Sequence, residues 1–133
     1  MLNRGHSESI DWLIAAIRSL PSDEPVPDRT PGYNKYNTQK DHWLGWLNPG
    51  AGTGSYARAA ARDARSVYNR IVEPKLLLWL ISAAHVRADM VADARSAADK
   101  AKSMAGRSAA IRKHVPWHVV AEALAKHSNS TSN

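Results

Sequence analysis

Six consecutive apolar residues, Leu76-Leu77-Leu78-Trp79-Leu80-Ile81, constrain this chain more than any other stretch. A helix over them is oily on every side and has to be covered on every side. Pro74 suits the first helical position, where a missing N–H costs nothing. Glu73, just before it, suits the positive end of the helix dipole. The run therefore predicts a short central helix over about 74–84, with the other helices packed around it. It is far too short to cross a bilayer, which takes roughly 20 apolar residues.

The remaining segments read as helices too. Ser7 is placed to cap a helix that presents Ile10, Leu13, Ile14, Ile17 and Leu20, an i, i+3, i+4, i+7 stripe that ends at Pro21. Residues 21–32 hold four prolines and predict a strap without regular structure. The N-terminal helix, residues 1–20, could dock through it on its own chain or on a second copy. Thr38 and Asp41 form a capping box for a short helix with Trp43, Leu44 and Leu47 on one face. A glycine-rich loop, Gly50–Gly54, leads to Ser55 as the cap of a helix over about 56–71. The inward candidates there are Tyr56, Ala60, Ala64, Val67, Tyr68 and Ile71, and the short link to the central helix predicts antiparallel neighbours.

A corner at 85–87 precedes an alanine-rich helix over about 88–104. Gly106-Arg107-Ser108 is expected to end it and to cap a brief helix over 109–114. Pro116 then opens a last helix to about 127, with Trp117, Val120 and Leu124 inward. Residues 128–133 read as a polar tail. No period-2 stretch predicts a strand. The expectation is all-α: one compact domain, 33–127, of five to seven short helices, with the N-terminal helix and strap attached. A chain of 133 residues can bury roughly 65–70% of its unfolded surface, enough for one core.

Chemistry is scarce. There is no cysteine, so disulfides, thiolate catalysis and cysteine-bound zinc are excluded. His114 and His118 are four apart, but Pro116 interrupts the register that would make them co-ligands. The Gly50–Gly54 loop lacks both the dinucleotide and the P-loop pattern. No metal and no cofactor are expected. The N-terminus lacks the apolar segment of a signal peptide, so a cytoplasmic location is expected and no membrane partner.

Charge is the more telling signal. The chain carries +6 overall, but residues 1–54 sum to −1 and residues 55–133 to +7. Arg58, Arg62 and Arg65 would share one face of the helix over 56–71. Lys100, Lys102, Arg107, Arg112 and Lys113 form a stretch without a single acid. Cations on a common face match a phosphate backbone, and Tyr33, Asn34, Lys35 and Tyr36 could add stacking and amide contacts. Residues 108–125 have the outline of a helix-turn-helix, but Trp117, Val119, Val120 and Glu122 are poor base readers, and a core corner is the better reading. Of Trp43, Trp46, Trp79 and Trp117, Trp46 falls off the apolar face and is the candidate partner anchor.

Four segments are familiar as a set: Tyr36-Asn-Thr-Gln-Lys-Asp-His-Trp-Leu-Gly-Trp-Leu47, Arg62-Asp-Ala-Arg-Ser-Val-Tyr-Asn69, Leu77-Leu-Trp-Leu80 and Ala110-Ile-Arg-Lys-His-Val-Pro-Trp117. Over about residues 33–125 the chain resembles a group of small, uncharacterised bacterial and prophage-type proteins. The resemblance brings no catalytic residue with it. It implies that Gln39, Lys40, Asp41, Arg62, Asp63 and Asn69 lie near one another. In size and context such a protein is also similar to phage inhibitors of host defence, anti-CRISPR proteins among them.

The resulting expectation is a non-enzymatic binding protein of mobile-element type. It would dock on a nucleoprotein or nucleic acid through the eight cations named, with Lys40 and Trp46 adding to the surface. The alternatives are an assembly protein that dimerises through its N-terminal helix, and a small enzyme using Asp41, His42, Arg62 and Asp63.

Overall fold

The computed structural model describes residues 9–21, 38–47 and 63–131, with the side chains of Trp46 and 128–131 left aside. Among the described residues there are seven helices and no strand: α1 (Ile10–Ser19), α2 (Gln39–Leu47), α3 (Ala64–Arg70), α4 (Pro74–Ala83), α5 (Ala88–Lys100), α6 (Met104–His114) and α7 (Trp117–Thr131). The all-α architecture is as expected. The strap over 22–32, residues 33–36, the Gly50–Gly54 loop, Ser55, Arg58 and Arg62 lie outside the described residues.

The central run forms α4 with Pro74 in its first turn. Leu76, Leu77, Leu80 and Ile81 are buried. The expected enclosure is only partial, since Lys75 and Ser82 are exposed and Leu78 and Trp79 half-buried. Its main neighbours are α2, α5 and α6, and three helices cannot close a full circle. Trp43 of α2 is fully buried, and its Nε1–H donates to the Leu76 carbonyl at 2.9 Å. Asp41 N–H donates to the Thr38 hydroxyl at 3.0 Å, the predicted cap.

The helix α1 packs on α2, α3 and α7 of its own chain. Ile10, Leu13, Ile14, Ile17 and Leu20 all enter the common core, as their spacing predicts. Its cap is Ser9 rather than Ser7: the Ser9 hydroxyl accepts from Trp12 N–H at 3.0 Å.

Four boundaries differ from expectation. A continuous helix over 56–71 does not form, because Asp63 is extended (φ −153°, ψ −179°) and its carboxylate accepts from Ser66 N–H at 2.8 Å. The short α3 that follows packs mainly on α1 and α7, not as the antiparallel neighbour of α4. The alanine-rich helix stops at Lys100 rather than 104, and Ser103 caps α6 by accepting from Gly106 N–H at 2.9 Å. Gly106-Arg107-Ser108 is thus inside a helix, not between two. Finally, α7 continues to Thr131, past the expected start of the tail.

The corner at 85–87 is a Schellman turn. Val86 N–H reaches back to the Ile81 carbonyl at 3.0 Å and His85 N–H to Ser82 at 3.1 Å. The apolar contact that accompanies such turns is available from buried Val86 and Ile81. The left-handed position, usually glycine, is held by His85 at φ +64°.

Candidate anion-binding site

Where α3, α6 and the start of α7 meet, they leave a pocket of about 380 Å³. Arg65 and Asn69 line it from α3, one turn apart on the same face. Arg112 lines it from the last turn of α6, and Trp117 and His118 from the first turn of α7. Val115-Pro116 makes this possible: it breaks the chain between two helices, so a helix end and a helix start open onto one space. Among the described residues that line it there is no Asp or Glu.

The position of Arg112 is the most informative. Its guanidinium is half-buried and donates to the Ile71 carbonyl in the extended link between α3 and α4. Burial pulls its pKa down, and the nearby Tyr68 phenol works against that pull. Among the described residues no carboxylate pairs with it. A guanidinium has five N–H donors in a rigid fork, so most of its capacity is left over. Tyr68 stiffens the same corner: fully buried, it donates its hydroxyl to the Val115 carbonyl at 2.6 Å and packs against Trp117 at 5.6 Å. Burial holds that phenol well above its ordinary pKa, so it stays a donor.

The helix terminus adds to the field. Pro116 O accepts from Val119 N–H at 3.0 Å, which starts α7 at Trp117. The N–H groups of Trp117 and His118 then have no intrahelical acceptor, and the positive end of a 15-residue helix dipole lies at the pocket wall. Two guanidiniums, a carboxamide, an imidazole and a helix N-terminus, with no carboxylate among the described lining residues, have the chemistry to hold an oxyanion.

The predicted cations divide into two groups. Arg65 and Arg112 come together here, and exposed Lys113 follows Arg112 on α6. Lys100, Lys102 and Arg107 lie instead at the corner between α5 and α6, where Arg107 Nε donates to the Ala101 carbonyl at 3.1 Å. Arg107 and Arg112 are five residues apart on one helix, about 140° around its axis, so they do not form a single face. Lys40 has a task inside the fold: its Nζ donates to the carbonyls of Arg18 and Leu20, at 3.0 and 2.5 Å, and closes the C-terminal end of α1. Arg58, Arg62 and the Trp46 side chain lie outside what is described. Trp43 and Trp117 are core residues and Trp79 is half-buried.

Of the four residues weighed for an enzyme, Arg62 lies outside the described residues, and the other three are placed as follows. Asp41 is exposed and Asp63 is a helix cap. His42 Nε2 lies 3.4 Å from Glu73 Oε2 and ties α2 to the start of α4. Burial lowers the His42 pKa more than Glu73 raises it. Among the described residues no three His, Asp or Glu side chains converge as a metal site would require, and no helix is long and apolar enough to cross a membrane.

Asn69, Pro116, Trp117 and His118 enter the sequence reading only as, in turn, part of an implied polar cluster, a helix start, one of a tryptophan set and half of a rejected metal pair. The sequence does carry a signal for the last three, since Val-Pro-Trp marks a helix start two residues after a basic pair. Which helix lies opposite is a tertiary fact. No protein-family model matches the chain, and neither a characterised protein nor a solved structure is similar enough to count as a match.

Proposed function

We propose that this is a non-enzymatic binding protein that docks on a phosphate-bearing partner, a nucleic acid or a nucleoprotein complex. The observation that carries the reading is Arg112. A half-buried guanidinium without a carboxylate partner, beside Arg65 and a helix N-terminus, is stabilised by an anion from outside. The resemblance of the sequence to small prophage-type proteins favours a mobile-element setting. Its sharpest form is an inhibitor that blocks a host defence complex in the manner of an anti-CRISPR-like protein.

Phosphate contacts release counterions, so affinity for an oligonucleotide falls linearly on a log–log plot against salt. Arg65→Ala should weaken binding at low salt and make that slope shallower by about one. Lys75→Ala, on the exposed edge of α4, should change neither. Fluorescence anisotropy of a labelled oligonucleotide between low and physiological salt measures both quantities. A salt-independent affinity, or an Arg65→Ala variant that binds like the parent, would remove phosphate as the target.

A further inference from the structure

A second pocket, also about 380 Å³, lies on the other side of His118. The corner after α4 and the first turn of α5 form one wall, and α7 forms the other. Its composition differs in kind from the first. Val86, Met90, Val119 and Ala123 give it an apolar lining, with imidazoles of His85 and His118 above.

Its charges cancel in pairs. Arg87 is bound through Nε and Nη2 to the Asp89 carboxylate, at 3.1 and 2.6 Å. Lys126 lies 3.7 Å from Glu122. Among the described residues, one pocket therefore offers cations without acids, and its neighbour offers apolar and aromatic surface with balanced charge. His118 lines both.

From this juxtaposition we infer that the protein binds single-stranded nucleic acid, with a backbone phosphate in the Arg65–Arg112 pocket and the adjoining base, unstacked, in the His85–Met90–Ala123 pocket. The inference rests on the phosphate reading above and narrows it. An uncharged flat ring gains from an apolar floor and from imidazole faces, and a charge-balanced rim does not repel it. Glu122 is there to accept from an exocyclic or ring N–H. A duplex holds its bases stacked and paired, so only a single strand can fill both pockets without first paying to extrude a base. Both pockets fall in the size range of small-molecule sites, roughly 300–1,000 Å³.

The test uses the full chain and three probes of equal length: a thymidine decamer, an abasic decamer with the same phosphates, and a ten-base-pair duplex. Thymidine stacks weakly on its neighbours, so its base enters at least cost. The thymidine strand should bind about tenfold more tightly than the abasic strand, and more tightly than the duplex. Ala123→Phe, which fills the second pocket, should bring thymidine and abasic strands to equal affinity. Circular dichroism would check that its helices persist, and the comparison of strands on the unaltered protein stands without the variant. Equal affinity for thymidine and abasic strands with steep salt dependence would overturn the base pocket and leave the phosphate reading intact. Tighter binding of the duplex would also overturn it. Failure of all three probes to bind at low salt would remove the phosphate reading itself.

Discussion

His85 holds a backbone conformation that an L-residue with a Cβ adopts at a cost of about 1–2 kcal/mol. Nothing in the turn needs the side chain, since the two hydrogen bonds that define it are made by backbone. What the imidazole does contribute is a ring contact with His127 at 5.4 Å and a wall of the second pocket. His85→Gly should therefore stabilise the fold by about 1 kcal/mol net, raising the melting temperature by a few degrees. His85→Val, β-branched in the same conformation, should lower it. Thermal unfolding followed by circular dichroism checks both. A glycine variant that melts lower than the parent would mean the His127 contact outweighs the strain. The same residue lines the pocket proposed to take a base, so the glycine variant also reads whether that imidazole matters for binding.

At the level of elements, the junction of α3, α6 and α7 depends on Tyr68. Its hydroxyl is the tie between α3 and the break at Val115, and that break creates the pocket. Tyr68→Phe leaves a buried carbonyl without its donor and should cost roughly 1–3 kcal/mol, read as a lower denaturant midpoint. The sign of its pH dependence also follows. The folded protein resists ionising this phenol, while in the unfolded chain it ionises near pH 10. Stability conferred by Tyr68 is thus complete below that value and declines above it, and the Phe variant should show less alkaline loss. A variant as stable as the parent at pH 7 would show that the tie is dispensable.

Elements were also where the sequence was most and least readable. Leucine and isoleucine at helical spacing, Pro74 in a first turn and Thr38 before Asp41 each state their structure locally, and α1, α2, α4 and α7 follow from them. The break at Asp63 was missed because alanines and arginines on both sides suit a helix equally well. The Asp-x-x-Ser spacing that makes the cap does not stand out among helix formers. Around residues 100–108 the side chains are small, so the pattern has no strong face. Gly106 looked like a terminator, yet Ser103 three residues earlier was the better cap. The candidate site needs α3 brought to the end of α6 and the start of α7, and nothing along the chain states that. Arg65 and Arg112 were named from charge alone, and their proximity came from the fold.

For the molecule as a whole, one core joins α1 to the remaining helices, so loss of any packed element should be felt throughout. His42 offers a way to see this. Its imidazole is partly buried between α2 and α4, and burial, the larger effect, lowers its pKa despite Glu73. The unfolded chain takes up that proton more readily. The contribution of His42 is therefore complete above about pH 6.5 and is lost as pH falls below it through the folded value. Urea unfolding at pH 7.5 and 5.5 should show a lower midpoint at the acid end, and His42→Gln should reduce the difference. An acid loss of equal size in that variant would assign the effect to other groups.

Lys40 has a consequence of its own. Its ammonium grips the last carbonyls of α1 from the first turn of α2. Were the N-terminal helix to leave its berth, the ammonium on the second helix and two carbonyls on the first would lose one another. A rearrangement that separated the first helix from the second would have to break this clasp as well as the apolar packing between them.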